Sequence, residues 1–252
     1  MSSNITKGGA LLDDSRQFVA LWNDDSDIDT NLSRFREENL LGLPSLARAA
    51  DVTNRILRPR FVDSGRDVIP ALRLLRNDPS AFVDACYYET AQDDPLLAKF
   101  AEEAVLAWFE DGQLSINTEL VDQWIVSLGE QGLIPAWSDG RRQKVARGLL
   151  AALRDFGRLD GAKGSLNKKL CSPGISEGGF AYVAYRLHER GESSRGVLTA
   201  PTWKRWLLDD ARIDHHMHRL AAQGLLYYAR AGSSLRIDWR VKDLVEVTRV
   251  TT

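Results

Sequence analysis

The sequence predicts a mainly α fold, with a helical N-terminal region and a C-terminal winged-helix region in which a helix-turn-helix is followed by a β-hairpin. A second winged-helix-like unit is expected in the middle. Three observations carry this prediction. Through the first two thirds, apolar residues recur at spacings of three and four, and strand patterns are scarce. In the last third, helical segments lead into two alternating runs around a Gly-Ser turn. A similar helix-then-hairpin order stands at residues 141–170.

Taken in order, Ser45 reads as the N-cap of a helix that runs to residue 58 and stops at Pro59. Leu46, Ala50, Thr53 and Leu57 form one face, and Arg48, Arg55 and Arg58 the other. Residues 96–109 and 120–128 repeat apolar positions at helical spacing, with Gly112, Gly129 and Gly132 as stops. A helix over residues 141–156 gathers Val145, Leu149, Ala152, Leu153 and Phe156 on one side. Lys144, Arg147 and Arg154 fall nearly opposite. Gly157 ends this helix, and residues 158–160, a turn at 161–164 and residues 165–170 read as a short hairpin bearing Lys163, Lys168 and Lys169.

The last third opens with an amphipathic helix at about residues 176–190 (Phe180, Val183, Ala184, Leu187), ended by Gly191. Val197 and Leu198 suggest one short strand. A second helix opens at Thr199, holds Pro201 in its first turn and buries Trp203, Trp206 and Leu207. After a turn at Asp209 and Asp210, a third helix runs over residues 212–223 and stops at Gly224. Residues 225–230 and 235–240 then flank the turn 231–234, with Leu235, Ile237 and Trp239 alternating against Arg236, Asp238 and Arg240. The expected division is a flexible tail at 1–10, a helical domain at 11–140 and a basic, winged-helix-containing domain at 141–252.

Charge is sorted along the chain. Residues 78–140 hold thirteen Asp or Glu against one basic residue, Lys99, whereas residues 141–196 hold twelve Lys or Arg against five acids. The formal total of −2 hides a net +10 over residues 141–252. A partner meeting that stretch meets a polycation, and the abundant biological polyanion is nucleic acid. The third helix of the last region fits such a partner. Ile213, Met217 and Leu220 share its inner face, while Arg212, His215, His216, Arg219 and Gln223 share the outer one. Arg can bond guanine edges or phosphate, Gln can bond adenine, and His can donate to phosphate. Arg230 and Arg236 in one hairpin, with Lys163, Lys168 and Lys169 in the other, are expected to touch phosphates beside the groove. A solvated face, or a surface that docks another protein, is the competing reading of the same residues.

Other classes find little support. Cys86 and Cys171 are the only cysteines, which is no disulfide framework and suits a reducing compartment. The opening MSSNITKGG lacks the apolar core of a secretory signal, and the longest apolar runs, such as residues 105–109, fall far short of the ~20 residues a membrane helix needs. A cytoplasmic protein with no membrane partner is expected. His215 and His218 lie within one turn of each other but find no third ligand at suitable spacing, so no metal is expected. Residues 161–165 lack the Walker order, because Lys163 precedes its glycine. Asp209, Asp210 and Asp214 read as caps and turns, and Cys86 as core. No general acid, base and nucleophile assemble, so neither enzymatic activity nor a cofactor is expected.

Five stretches, in their order, resemble the BrxA family of BREX bacteriophage-exclusion systems: GGALLDDS, ENLLGLPSLARAADVTNRILRPRF, KVARGLLAALRDFGRLDG, SPGISEGGFAYVAYRLHERG and WKRWLLDD. The resemblance spans nearly the whole chain, and its specificity lies in the order of pieces that are individually weak. It implies a non-enzymatic, mainly helical DNA-binding component of a multi-protein phage-defence and methylation system, with other BREX proteins as partners. The expected activity is double-stranded DNA binding, mainly through phosphates and with low sequence specificity. A docking scaffold within the BREX assembly and an RNA binder are the alternatives. The inner-membrane label given to some family members is contradicted by this sequence, and the family lends no catalytic residue.

Overall fold

The computed structural model describes residues 5–165, 167–232 and 234–251, apart from the side chain of Lys7. The fold is mainly helical, with few and short antiparallel strands. In chain order the first helices are α1 (Ile5–Gly8), α2 (Leu12–Leu21), α3 (Ile28–Glu37), α4 (Leu46–Val52), α5 (Val68–Leu75), α6 (Pro79–Asp93), α7 (Pro95–Lys99) and α8 (Leu106–Glu110). Strand β1 (Ser115–Asn117) leads into α9 (Thr118–Glu130) and α10 (Asp139–Asp155), followed by β2 (Leu159–Asp160) and β3 (Asn167–Leu170). The last part runs α11 (Glu177–Glu189), α12 (Ser194–Thr199), a 3-10 turn over Pro201–Trp206, α13 (Asp210–Ala222), β4 (Leu226–Ala231), β5 (Ser234–Trp239) and α14 (Leu244–Thr251).

Packing divides the chain into two units. The first comprises residues up to Leu11, Thr90–Gly174 and Pro201–Leu207; the second comprises Leu12–Glu89, Ile175–Ala200 and Leu208 onward. The sequence division at residue 140 follows charge, whereas these units follow packing and are each drawn from three stretches.

In the first unit, Phe100, Ile116, Val121, Ile125, Leu149, Leu153, Phe156, Trp203 and Trp206 are buried. Residues 5–10, expected as a flexible tail, are instead anchored. Ile5 is buried and its N–H donates to the Asp94 carboxylate at 2.9 Å. Residues 1–4 of that expected tail lie outside the described residues. Strand β3 pairs antiparallel with both β1 and β2, giving a three-stranded sheet in the order β1-β3-β2. The hairpin at 158–170 was expected; β1 was not, because three residues are too few to show alternation.

The second unit holds an aromatic cluster, with Phe18 and Phe35 at 4.5 Å. It also holds a buried polar network in which Arg186 bonds Glu89 at 2.8 Å and Tyr182 donates to the same carboxylate at 2.7 Å. An unpaired charge buried there would cost several kcal/mol, so the full set of partners is what makes the site tolerable. Gly179 is required by close approach: a Cβ there would stand 2.5 Å from the Cβ of Asp84, which caps α11 through Ser176.

Four local expectations need correction. Ser45 does cap α4, but Pro59 does not stop the helix; the chain continues as a π-helical segment over Thr53–Val62. The wider turn relieves the clash that a proline ring makes with the preceding α-helical turn. Leu46 is exposed and Ala50 half-buried, whereas Thr53 and Leu57 are buried as expected, joined by Ala49, Val52 and Ile56. Val197 and Leu198 lie in α12, which Ser193 caps through Gly196 N–H at 3.1 Å, not in a strand. Leu207 is only half-buried and takes a positive φ of 55°. The third helix, its stop at Gly224 and the β4–β5 hairpin follow the expectation, with Ser233 of the turn outside the described residues.

Candidate nucleic-acid interface

The first unit sets its basic residues on α10 and the β2–β3 hairpin. Val145, Ala146, Leu149, Leu150, Ala152 and Leu153 bury one side of α10. Arg142 ties the helix to α9 through Asp122 at 3.0 Å and closes on Asp139 at 2.9 Å, so its charge is spent internally. Lys144 and Arg147 lie on the exposed side, with no ion pair among the described residues. Arg154 is half-buried and held by Asp155 at 2.8 Å, which removes it from the free set.

In the hairpin, Lys163 and Lys169 are exposed and also carry no ion pair among the described residues. Lys168 departs from the expectation. It is 3% exposed, and its ammonium donates to the Ala162 carbonyl at 2.5 Å. The reason is strand alternation: Lys168 stands opposite Ile116 in the register, on the face that packs inward, while Lys169 points the other way. Lys168 therefore fastens the hairpin loop and is not a phosphate contact.

In the second unit, α13 buries Ile213, Met217 and Leu220 as expected, and Arg212, His215, Arg219 and Gln223 are exposed. Here the arginines expected at the interface are matched. Arg212 pairs with Asp209, the residue whose carboxylate also caps α13 through Arg212 N–H at 2.8 Å. Arg219 and Gln223 are both held by Glu177, one on each carboxylate oxygen. Arg230 reaches Asp214 at 3.5 Å, and Arg236 bonds Asp238 at 2.5 Å while lying 5.7 Å from the Tyr227 ring. Asp214 also accepts from the Tyr228 hydroxyl at 2.6 Å, the chief reason its pKa is lowered.

His216 does not share the outer face with the others. Its ring stacks on Phe180 at 4.6 Å with an interplanar angle of 18°. Burial, reinforced by the charges of His215 and Arg219, pushes its pKa down to about 4, so it is neutral near pH 7 and cannot serve as a cationic phosphate donor. The helical wheel puts His216 on the outer face, and only the packing of Phe180 against α13 draws its ring inward.

In the first unit Lys144, Arg147, Lys163 and Lys169 thus stand exposed with no ion pair among the described residues, and in the second Arg212, Arg219, Gln223, Arg230 and Arg236 stand against carboxylates. Glu177, which holds two of these five residues, is not among the residues the sequence singles out. At the first turn of α11 it reads as a dipole-favoured acid, and only the packing of α11 near α13 reveals its second role.

No helix among the described residues is long and apolar enough to cross a membrane. Comparison with known proteins gives two findings on family and fold. The sequence model of the BrxA family matches residues 2–183. A crystal structure of an uncharacterized protein from Magnetospirillum magneticum aligns with a TM-score of 0.60 at 21% identity, covering 81% of this chain and 96% of that chain, a likeness of fold. No curated protein matches.

Proposed function

The chain belongs to the BrxA family, and from that premise we propose that it is a non-enzymatic, double-stranded DNA-binding component of a BREX phage-defence system, holding duplex mainly through phosphates with low sequence specificity. Family membership implies the BREX role. Support for the DNA role comes from one observation above all: Lys144, Arg147, Lys163 and Lys169, exposed and with no ion pair among the described residues, lie on α10 and the adjoining hairpin. The order strand, helix, helix, strand, strand, with the sheet arranged β1-β3-β2, supports reading this segment as winged-helix-like. In this reading α10 is the groove helix and β2–β3 the wing that rides on the backbone.

A titration of duplex DNA, single-stranded DNA and RNA at two salt concentrations tests it. If six to ten phosphates are engaged, duplex affinity falls by roughly 10³ to 10⁵ between 50 and 200 mM salt. Binding that ignores salt, or a preference for RNA, would refute the proposal. The carboxylate-matched face of α13 favours a second reading for that unit, docking of another BREX protein. In that case changing Arg212 and Arg219 to Ala spares DNA affinity and disrupts co-purification.

A further inference from the structure

Arg147, one of the exposed cations of the first unit, lines an open cleft of about 440 Å³ bordered by polar residues. Asn117 and Asn167, partners in the β1–β3 register, stand at one side. Gln143 and Arg147, one turn apart on α10, stand at another, and Glu119 and Asp122 of α9 close it. The volume falls in the ~300–1,000 Å³ range of small-ligand pockets.

The charges decide what such a cleft can hold. Asp122 is taken up by Arg142 at 3.0 Å. That leaves one carboxylate, Glu119, and one guanidinium, Arg147, neither with an ion pair among the described residues. A phosphate bound within the cleft would need excess positive charge, and the free carboxylate would repel it there, so the phosphate contact proposed for Arg147 is made from outside the cleft. The same lining suits an uncharged edge that shows donors and acceptors side by side. Gln143 and Asn167 are exposed carboxamides, each with a carbonyl acceptor and an NH₂ donor. Asn117 gives its carbonyl to Leu120 N–H at 2.8 Å and keeps its NH₂. Glu119 adds an acceptor for an exocyclic amine. Carboxamides pair with the adenine edge and carboxylates accept from the cytosine amine.

We propose that this cleft reads base edges, with Gln143 and Asn167 as specificity-determining residues and an amino-bearing base, adenine or cytosine, as the ligand. The proposal rests on the duplex-binding reading above and adds a preference to affinity that the phosphates supply. The lysines hold the backbone in register while the cleft samples one or two bases, so the preference is small against the total binding.

The test is selection from a random duplex library at 50 mM salt, with the full chain and with the Gln143→Ala/Asn167→Ala variant. The parent enriches adenine or cytosine about tenfold at one or two positions. The variant holds bulk duplex within about threefold of the parent and gives a flat profile. Gln143→Glu separates the two bases, since it discards adenine and keeps cytosine. A flat profile from a parent that still binds duplex overturns this inference and leaves the phosphate reading standing, as does an unchanged preference in both variants. A parent that binds no duplex overturns the phosphate reading and the inference with it.

Discussion

Helix α10 with its hairpin exposes Lys144, Arg147, Lys163 and Lys169 with no ion pair among the described residues, whereas α13 with its hairpin gives Arg212, Arg219, Arg230 and Arg236 a carboxylate each. Both segments run helix, helix, hairpin, and both bury an apolar stripe under a basic face. Their difference lies in the acids. A surface ion pair contributes only ~0–1 kcal/mol to stability, so these pairs do little for the fold. Their effect is on binding: a phosphate approaching α13 must displace a carboxylate and then sit beside it, while one approaching α10 meets bare cations. A run of Lys and Arg in sequence is therefore not yet a polycationic surface, and the net +10 of residues 141–252 is unevenly available.

The contrast can be broken most forcefully at α10. Changing Lys144, Arg147, Lys163 and Lys169 together to Ala removes about four phosphate contacts, and at ~0.1 M salt duplex affinity should fall by roughly 10³. A mobility-shift titration reads this directly; a loss below tenfold would place the binding face elsewhere.

Both helices should respond alike when their buried stripes are cut. Leu149→Ala in α10 and Leu220→Ala in α13, each fully buried in the parent, should cost about 2–5 kcal/mol in denaturant unfolding. If one of them were neutral, the inward face assigned to that helix would be wrong.

A smaller effect sharpens the comparison from the other side. Glu177→Gln frees Arg219 and leaves Gln223 without its charged acceptor. If α13 can reach DNA at all, the variant should gain about one phosphate contact, seen as a salt slope steeper by about one and a several-fold gain in affinity at ~0.1 M. No gain would assign the α13 face to another kind of partner.

The smallest effect concerns His216. The unfolded ring takes a proton near pH 6.5 and the folded one only near 4. Between those values the unfolded chain binds more protons, so the stability tied to this ring is whole above about pH 6.5 and is lost progressively as pH falls. His216→Phe keeps the stack on Phe180 and removes the titration. Its unfolding free energy should decline less than the parent's over that window, and identical declines would contradict the neutral, stacked ring.

What the sequence made legible followed from local periodicity. The stripe of α13, its stop at Gly224 and the alternation in β5 all depend on residues a few positions apart, and they stand as read. The lysine hairpin was legible as an element but not in detail, because which of Lys168 and Lys169 faces inward depends on pairing with Ile116, about fifty residues earlier. Pro59 misled, since its rule assumes an α-helix and the chain widens to a π-helix there. Glu177 was out of reach for the same physical reason as Lys168: its pairing with Arg219 spans a sequence distance that no local pattern encodes. Charge composition marks residues 141–252 as basic and says nothing about which of those charges are already spent.

The most direct test of this account is the salt dependence of duplex affinity for three proteins measured side by side: the parent, the variant with Lys144, Arg147, Lys163 and Lys169 changed to Ala, and the variant with Arg212, Arg219, Arg230 and Arg236 changed to Ala. Each lost phosphate contact lowers the slope by about one. The account predicts a fall of about four in the first variant and of no more than about one in the second. Equal falls, or a larger fall in the second, would contradict it.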